Sequence, residues 1–189
     1  MIRRLLTGLV LGSFSVFAHA AFDIGQLMTE LASNPGGRAT FVEKRHLALL
    51  DKPLVATGEM TYTAPDRLEK RTLTPKAETM VLDKDTLSLE RDRRKMQIQL
   101  NQRPEVAAFV ESIRSTLQGN RASLERNYTL LLAGHKDAWV LTLVPTEQRI
   151  ASLLQRITLS GVREQVLVIE YLQADGDRTE MLIEPVKTP

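Results

Sequence analysis

The sequence predicts a mainly β protein of the α+β class, an up-and-down antiparallel sheet that curls, with helices against its concave face. Three observations carry this. Residues 54–63 alternate, Leu54, Ala56, Gly58, Met60 and Tyr62 on one side and Val55, Thr57, Glu59, Thr61 and Thr63 on the other, the period of a strand with one apolar and one wetter face. About ten strand-like runs follow one another through short turn-forming stretches. Two segments, 23–33 and 104–119, switch to the spacing of an amphipathic helix. So many strands curl instead of lying flat, and the helices then have an apolar surface to cover.

The chain opens with MIRRLLTGLVLGSFSVFAHA. Arg3 and Arg4 precede an apolar run that ends at Ala18-His19-Ala20, the pattern of a signal peptide cleaved after Ala20. The run is too short to span a bilayer comfortably. Residues 21–189 are therefore read as one mature domain, soluble in the periplasm and monomeric. Lys and Arg number 25 against 23 Asp and Glu. Arg3 and Arg4 make up that excess, so the mature chain has no net basic charge of the kind that nucleic-acid binding concentrates on one face. Cysteine is absent, which excludes disulfides and leaves no acylation site after the signal.

Asp23 suits the N-cap of a first helix carrying Ile24, Leu27, Met28 and Leu31, which Asn34-Pro35-Gly36-Gly37 ends. A strand from Phe41, the alternating strand, and a third after Ala64-Pro65-Asp66 form the first hairpins. Strands at 78–82, 86–91 and 95–101 follow. Pro104 starts a second helix, with Val106, Phe109, Val110, Ile113 and Leu117 in one stripe, and Gly119 ends it; Leu124 is read as extending it. Strands resume at 128–132, 138–145, 156–160, 165–173 and 179–184, with a short helix fitting 146–155. Ala174-Asp175-Gly176-Asp177 is the best hairpin turn.

No catalytic constellation emerges, and the chain is read as not an enzyme, with no cofactor and no metal. Past the signal only His46 and His135 remain, and without cysteine neither a Cys–His pair nor a usual zinc site forms. There is no nucleophile elbow and no phosphate-binding glycine loop. Arg91, Arg93, Arg94 and Lys95 form the one charge run. It reads as a solvated turn, or as a docking patch for an acidic partner or anionic headgroups.

The apolar face is the candidate binding surface. Leu54, Met60 and Tyr62 with Leu68, Leu87 and Leu89 would line a concavity that Phe109, Ile113 and Leu117 cover. The same stripes fit an ordinary filled core equally well. A lining of flexible Met and Leu with few aromatics favours adaptable binding.

Several short pieces keep a shared order and spacing: Gly58-Glu59-Met60-Thr61-Tyr62 into Pro65-Asp66-Arg67-Leu68, Val81 to Leu87, Trp139 to Pro145, Leu154 to Leu159, and Gly176 to Thr179. Together they make the chain resemble the LolA-like family of periplasmic lipoprotein carriers. The resemblance implies a half-open barrel with helices as lid and a cavity for a lipid or acylated protein, with Trp139 added to its lining. It also implies partners, an inner-membrane exporter and an outer-membrane acceptor. The family's lipoprotein carrier has an arginine before the proline of the second turn that ties the lid shut; here it is Ala64, so the lid is expected to close on its apolar stripe alone. The carrier's aromatic cluster is replaced by Leu87-Ser88-Leu89-Glu90. These departures bring the chain closer to the branch associated with export of other lipids, such as aryl polyenes. An envelope sensing or interaction module on the same fold is the alternative.

Overall fold

A computed structural model describes residues 22–186; the expected signal peptide, 1–20, and its cleavage point lie outside the described residues. The expected fold class is present: an open antiparallel sheet of eleven strands with short helices. Helix α1 (Ile24–Ala32) begins with a capping box. Asp23 accepts from the Gln26 amide at 2.8 Å while the Gln26 side chain accepts from the Asp23 amide at 3.0 Å, satisfying two otherwise unpaired donors.

Strands β1 (Gly36–His46), β2 (Leu54–Thr63), β3 (Arg67–Thr74), β4 (Glu78–Asp83), β5 (Thr86–Arg91) and β6 (Arg94–Gln99) form one meander. Helices α2 (Pro104–Leu117) and α3 (Arg121–Glu125) lead to the second: β7 (Tyr128–His135), β8 (Ala138–Pro145), helix α4 (Gln148–Ala151), β9 (Leu154–Val162), β10 (Gln165–Gln173) and β11 (Arg178–Pro185). The sheet order is β6-β5-β4-β3-β2-β1-β11-β10-β9-β8-β7. The meanders therefore join at its centre, where β1 pairs with β11 from Ala39↔Pro185 to His46↔Arg178. Edges β6 and β7 are linked through the helical segment.

Several boundaries differ from the sequence reading. β1 starts at Gly36, where φ is +89° and a Cβ would lie 2.5 Å from the Tyr62 carbonyl oxygen, so only glycine fits the close approach. β6 ends before Leu100, whose amide bonds the Asp85 carbonyl at 2.9 Å as its side chain turns into the interior. Gly119, at φ +64°, sits so close to α1 that a Cβ would be 2.0 Å from the Met28 carbonyl oxygen. It separates α2 from α3, so Leu124 belongs to a helix of its own, capped where Asn120 accepts from the Ser123 amide at 3.1 Å.

The main core joins Leu27, Met28 and Leu31 of α1 to Trp139, Leu141, Leu143, Ile157 and Leu159 of β8 and β9. Helix α2 packs by its small side. Ala108, Ser112, Ser115 and Thr116 are buried, with α1 and α3 as neighbours. The Ser112 and Thr116 hydroxyls each donate to a carbonyl of their own helix at 2.6 Å, so their burial leaves no polar atom unpaired. The buried Tyr128 hydroxyl donates to the Ala108 carbonyl at 3.1 Å. Burial pushes that phenol up to about 12, against a lowering from Ser112.

Candidate functional site

With its small side committed to the core, α2 turns its apolar stripe toward the concave sheet. Between them lies a cavity of about 850 Å³. Strand register explains its wall. One row across the sheet reads Gly37, Tyr62, Leu68, Leu82, Leu87, and the next reads Ala39, Met60, Lys70, Met80. Val106, Phe109, Val110, Ile113 and Leu117 form the roof, and Phe109 meets Tyr171 of β10 with ring centroids 4.8 Å apart.

Seven of the ten expected lining residues meet here: Met60, Tyr62, Leu68, Leu87, Phe109, Ile113 and Leu117. Three do not. Leu54 shares the Met60 face but lies at the outer end of β2, opposite Arg45, and is 51% exposed. Leu89 lies beyond the wall between Met80 and Met96. Trp139 belongs to the filled core: it is buried, its Nε1 donates to the Arg163 carbonyl at 2.9 Å, and its ring fills the space left by Gly161. Sequence reading missed Met80, Leu82, Ile169, Tyr171 and Met181, which period two carried across the later strands would have placed inward.

It also missed a charged cluster in the wall. Glu43 is 2% exposed; its carboxylate accepts from Arg45 Nε at 2.6 Å and from Lys70 Nζ. Burial alone would raise this carboxyl, but Lys70 and then Arg45 outweigh it and hold it below the usual carboxylate range. Lys70 Nζ also lies 4.9 Å from the centroid of the Phe41 ring, a cation–π contact. Gly58, opposite Phe41, permits this, since a Cβ there would meet the ring at 2.8 Å.

The expectation of a lid without polar ties is corrected. Gln118, at the end of α2, donates to the Pro65 carbonyl at 2.8 Å, and Tyr62 donates to the same oxygen at 3.1 Å. Arg114 donates to the Lys84 carbonyl and lies 3.6 Å from Asp85. Ala64 supplies no donor, but here the donors stand on the helix and the acceptors on the β2–β3 and β4–β5 turns.

Arg91, Arg93, Arg94 and Lys95 are exposed on the β5–β6 hairpin. Lys95 pairs with Glu90 at 3.2 Å and Arg91 with Glu78 at 3.8 Å. His46 and His135 are exposed at strand ends. Among the described residues no group of His, Cys, Asp or Glu is arranged to hold a metal, and no helix is long and apolar enough to cross a membrane.

Comparison with known families gives one match, outer membrane lipoprotein carrier protein LolA-like, over residues 16–187. The chain belongs to the LolA-like family. Solved structures similar to the chain include a LolA superfamily protein from Nitrosomonas europaea, 11% identical over 87% of this chain and 93% of that one, with a TM-score of 0.44. A DUF1329 family protein from Desulfovibrio piger is 10% identical over 85% and 88%, with a TM-score of 0.48. MucB of Pseudomonas aeruginosa, solved as a complex with MucA, is 16% identical over 88% of this chain and 56% of its own, with a TM-score of 0.44. No curated protein matches the chain. Its open sheet under helices is the LolA-like half-open barrel, a fold of carrier and binding proteins.

Proposed function

We propose that this LolA-like protein is a non-catalytic periplasmic carrier that holds the acyl chains of a lipid or lipoprotein in the cavity. It takes its cargo from an inner-membrane exporter and gives it to an outer-membrane acceptor, with polyene-type or other lipids as the favoured cargo over lipoproteins. The observation that carries this reading is the cavity of about 850 Å³ left between the apolar stripe of α2 and the sheet, a volume within the roughly 300–1,000 Å³ of typical ligand sites. Each methylene moved from water into such a lining gains about 0.8 kcal/mol, so a long chain gains on the order of 10 kcal/mol before the costs of ordering it and parting the lid. The exposed Arg93 and Arg94 hairpin is the proposed docking surface for the anionic membrane or an acidic partner.

The test is mass spectrometry of organic extracts from protein purified out of the native periplasm, with N-terminal sequencing of the same material. The expected result is a co-purifying lipid and a first residue of Ala21. Repeated preparations without lipid, together with a stable protein partner in pull-downs, would replace the carrier with an envelope interaction module.

A further inference from the structure

We propose that Arg45 and Lys70, with Glu43 as their resident counter-ion, form a headgroup subsite, so that the cargo is an anionic amphiphile whose phosphate or carboxylate sits here while its chain runs beneath α2. This deepens the carrier reading and rests on it.

Placement is the first argument. Phe41, Glu43 and Arg45 share the inward face of β1, and Lys70 rises from the wall between Met60 and Met80. A buried ion pair is no better for stability than apolar side chains of the same volume, so these charges are unexplained by folding alone. The second argument is stoichiometry. Two cations meet one carboxylate, leaving one positive charge at the rim of the cavity, where Glu43 and Lys70 are largely buried and the Arg45 guanidinium is about half exposed.

The third is the supply of idle donors. Arg45 uses Nε on Glu43, and its two Nη atoms have no hydrogen-bond partner among the described residues; Lys70 makes one bond through its ammonium group. In the row beside Arg45 stand Thr179 and Tyr171, paired across β11 and β10. Neither hydroxyl has a partner among the described residues, yet no buried side-chain polar atom is unsatisfied, so both reach open space. Burial, and then the Glu43 charge, raise the Tyr171 phenol above its ordinary range, keeping it a donor. Guanidinium, ammonium and two hydroxyls around one opening suit a tetrahedral or planar oxyanion. Thr179 and Tyr171 line the same cavity as Met80, Leu82 and Val106, so the chain of a bound amphiphile has an apolar wall to follow.

The experiment is calorimetric titration of the protein with dodecyl phosphate, dodecanoate, dodecanol and inorganic phosphate. Both anionic amphiphiles are expected to bind roughly tenfold or more tighter than dodecanol, the worth of one charge-assisted hydrogen bond, and inorganic phosphate alone is expected not to bind. Lys70→Met and Arg45→Gln should each remove most of the preference, read within each variant as the ratio of dodecyl phosphate to dodecanol affinity. Glu43→Gln should widen it, because it frees both cations; a salt bridge serving only the fold would not give that gain. Glu43→Gln with Lys70→Met, which leaves no unpaired carboxylate, provides a folded control. Equal binding of dodecanol and dodecyl phosphate by the wild type, or a preference that survives both cation variants, would overturn the subsite. Inorganic phosphate binding as tightly as dodecyl phosphate would also overturn it, since the site would then serve a free anion. If no amphiphile binds, charged or neutral, the carrier reading falls too; if dodecanol binds without preference against it, only the headgroup subsite falls.

Discussion

Strands β8 and β9 bury Trp139, Leu141, Leu143, Ile157 and Leu159 at 1% exposure or less, while β2, β3 and β4 leave Met60, Leu68 and Met80 only half buried. Both sets alternate with the same period. The difference lies in what stands over them. Leu27, Met28 and Leu31 of α1 belong to the core cluster of the second meander, whereas α2 spends its small side on α1 and α3 and spans the first meander with its large one. An apolar strand face thus becomes core or cavity according to which side of a helix it receives. Residue choice differs between these strands: β8 and β9 fill their face with planar and branched side chains, while β2, β3 and β4 place Met60, Lys70 and Met80 in the open wall.

The largest contrast is in stability. Leu141→Ala or Ile157→Ala should cost about 2–5 kcal/mol, and Met60→Ala or Met80→Ala less than about 1.5 kcal/mol, since part of their surface already faces the cavity. Urea denaturation measures both, and equal losses would mean that the wall is as filled as the core. With charge the contrast sharpens. Leu159→Glu should abolish folding, while Met60→Glu should fold and release lipid.

A pH titration of stability probes a buried group in each region next. The Glu43 carboxyl in the wall is held below its ordinary 4.5, so its contribution is complete above that pH and is lost as pH falls through the lower folded value. Tyr128 in the core is raised from 10.0 to about 12, so its contribution is complete below pH 10 and is lost as pH climbs from there toward 12. Glu43→Gln should flatten the acid limb, and Tyr128→Phe should remove only part of the alkaline limb, because burial also raises Tyr62 and Tyr171 in the wall; an acid limb unchanged by Glu43→Gln would show that this carboxylate does not titrate with folding.

Smaller effects concern the lid. Gln118→Ala removes one neutral hydrogen bond, worth about 1 kcal/mol, and should speed hydrogen exchange in α2 several-fold while β8 stays protected. If α2 in the wild type already exchanges as slowly as β8, it is fixed core and not a gate. Smallest of all, Arg93→Ser with Arg94→Ser should shift stability by less than about 0.5 kcal/mol yet weaken binding to anionic vesicles by about 1 kcal/mol per residue.

Much of this was legible in the sequence. Alternation from Leu54 to Tyr62 set the inward face, and Val106, Phe109, Val110, Ile113 and Leu117 form the roof that their spacing implied. Period two says which side a residue faces but not how far along the sheet the cavity extends, so Leu54 and Leu89 fell outside it. Trp139 was assigned through resemblance, and its indole is held by the Arg163 carbonyl on the core side. The polar ties of α2 were hidden because Gln118–Pro65 and Arg114–Lys84 join positions 53 and 30 residues apart. Glu43 and Lys70 had a signal that went unread: charges on inward phases of amphipathic strands.

The central pairing of β1 with β11 has a consequence for how the molecule comes together. Every other strand pair among the described residues joins consecutive strands, so each meander forms from local contacts, with little loop entropy to overcome. The β1–β11 seam instead unites residues 39–46 with residues 178–185, the two ends of the fold. A chain that emerges from its N-terminus must hold β1 with one hydrogen-bonding edge open until its last strand arrives. Lys44 on that waiting strand is a charge of the kind that keeps an open edge from recruiting a second chain. The seam is the last joint to close, and in the nascent protein it is the place most exposed to aggregation.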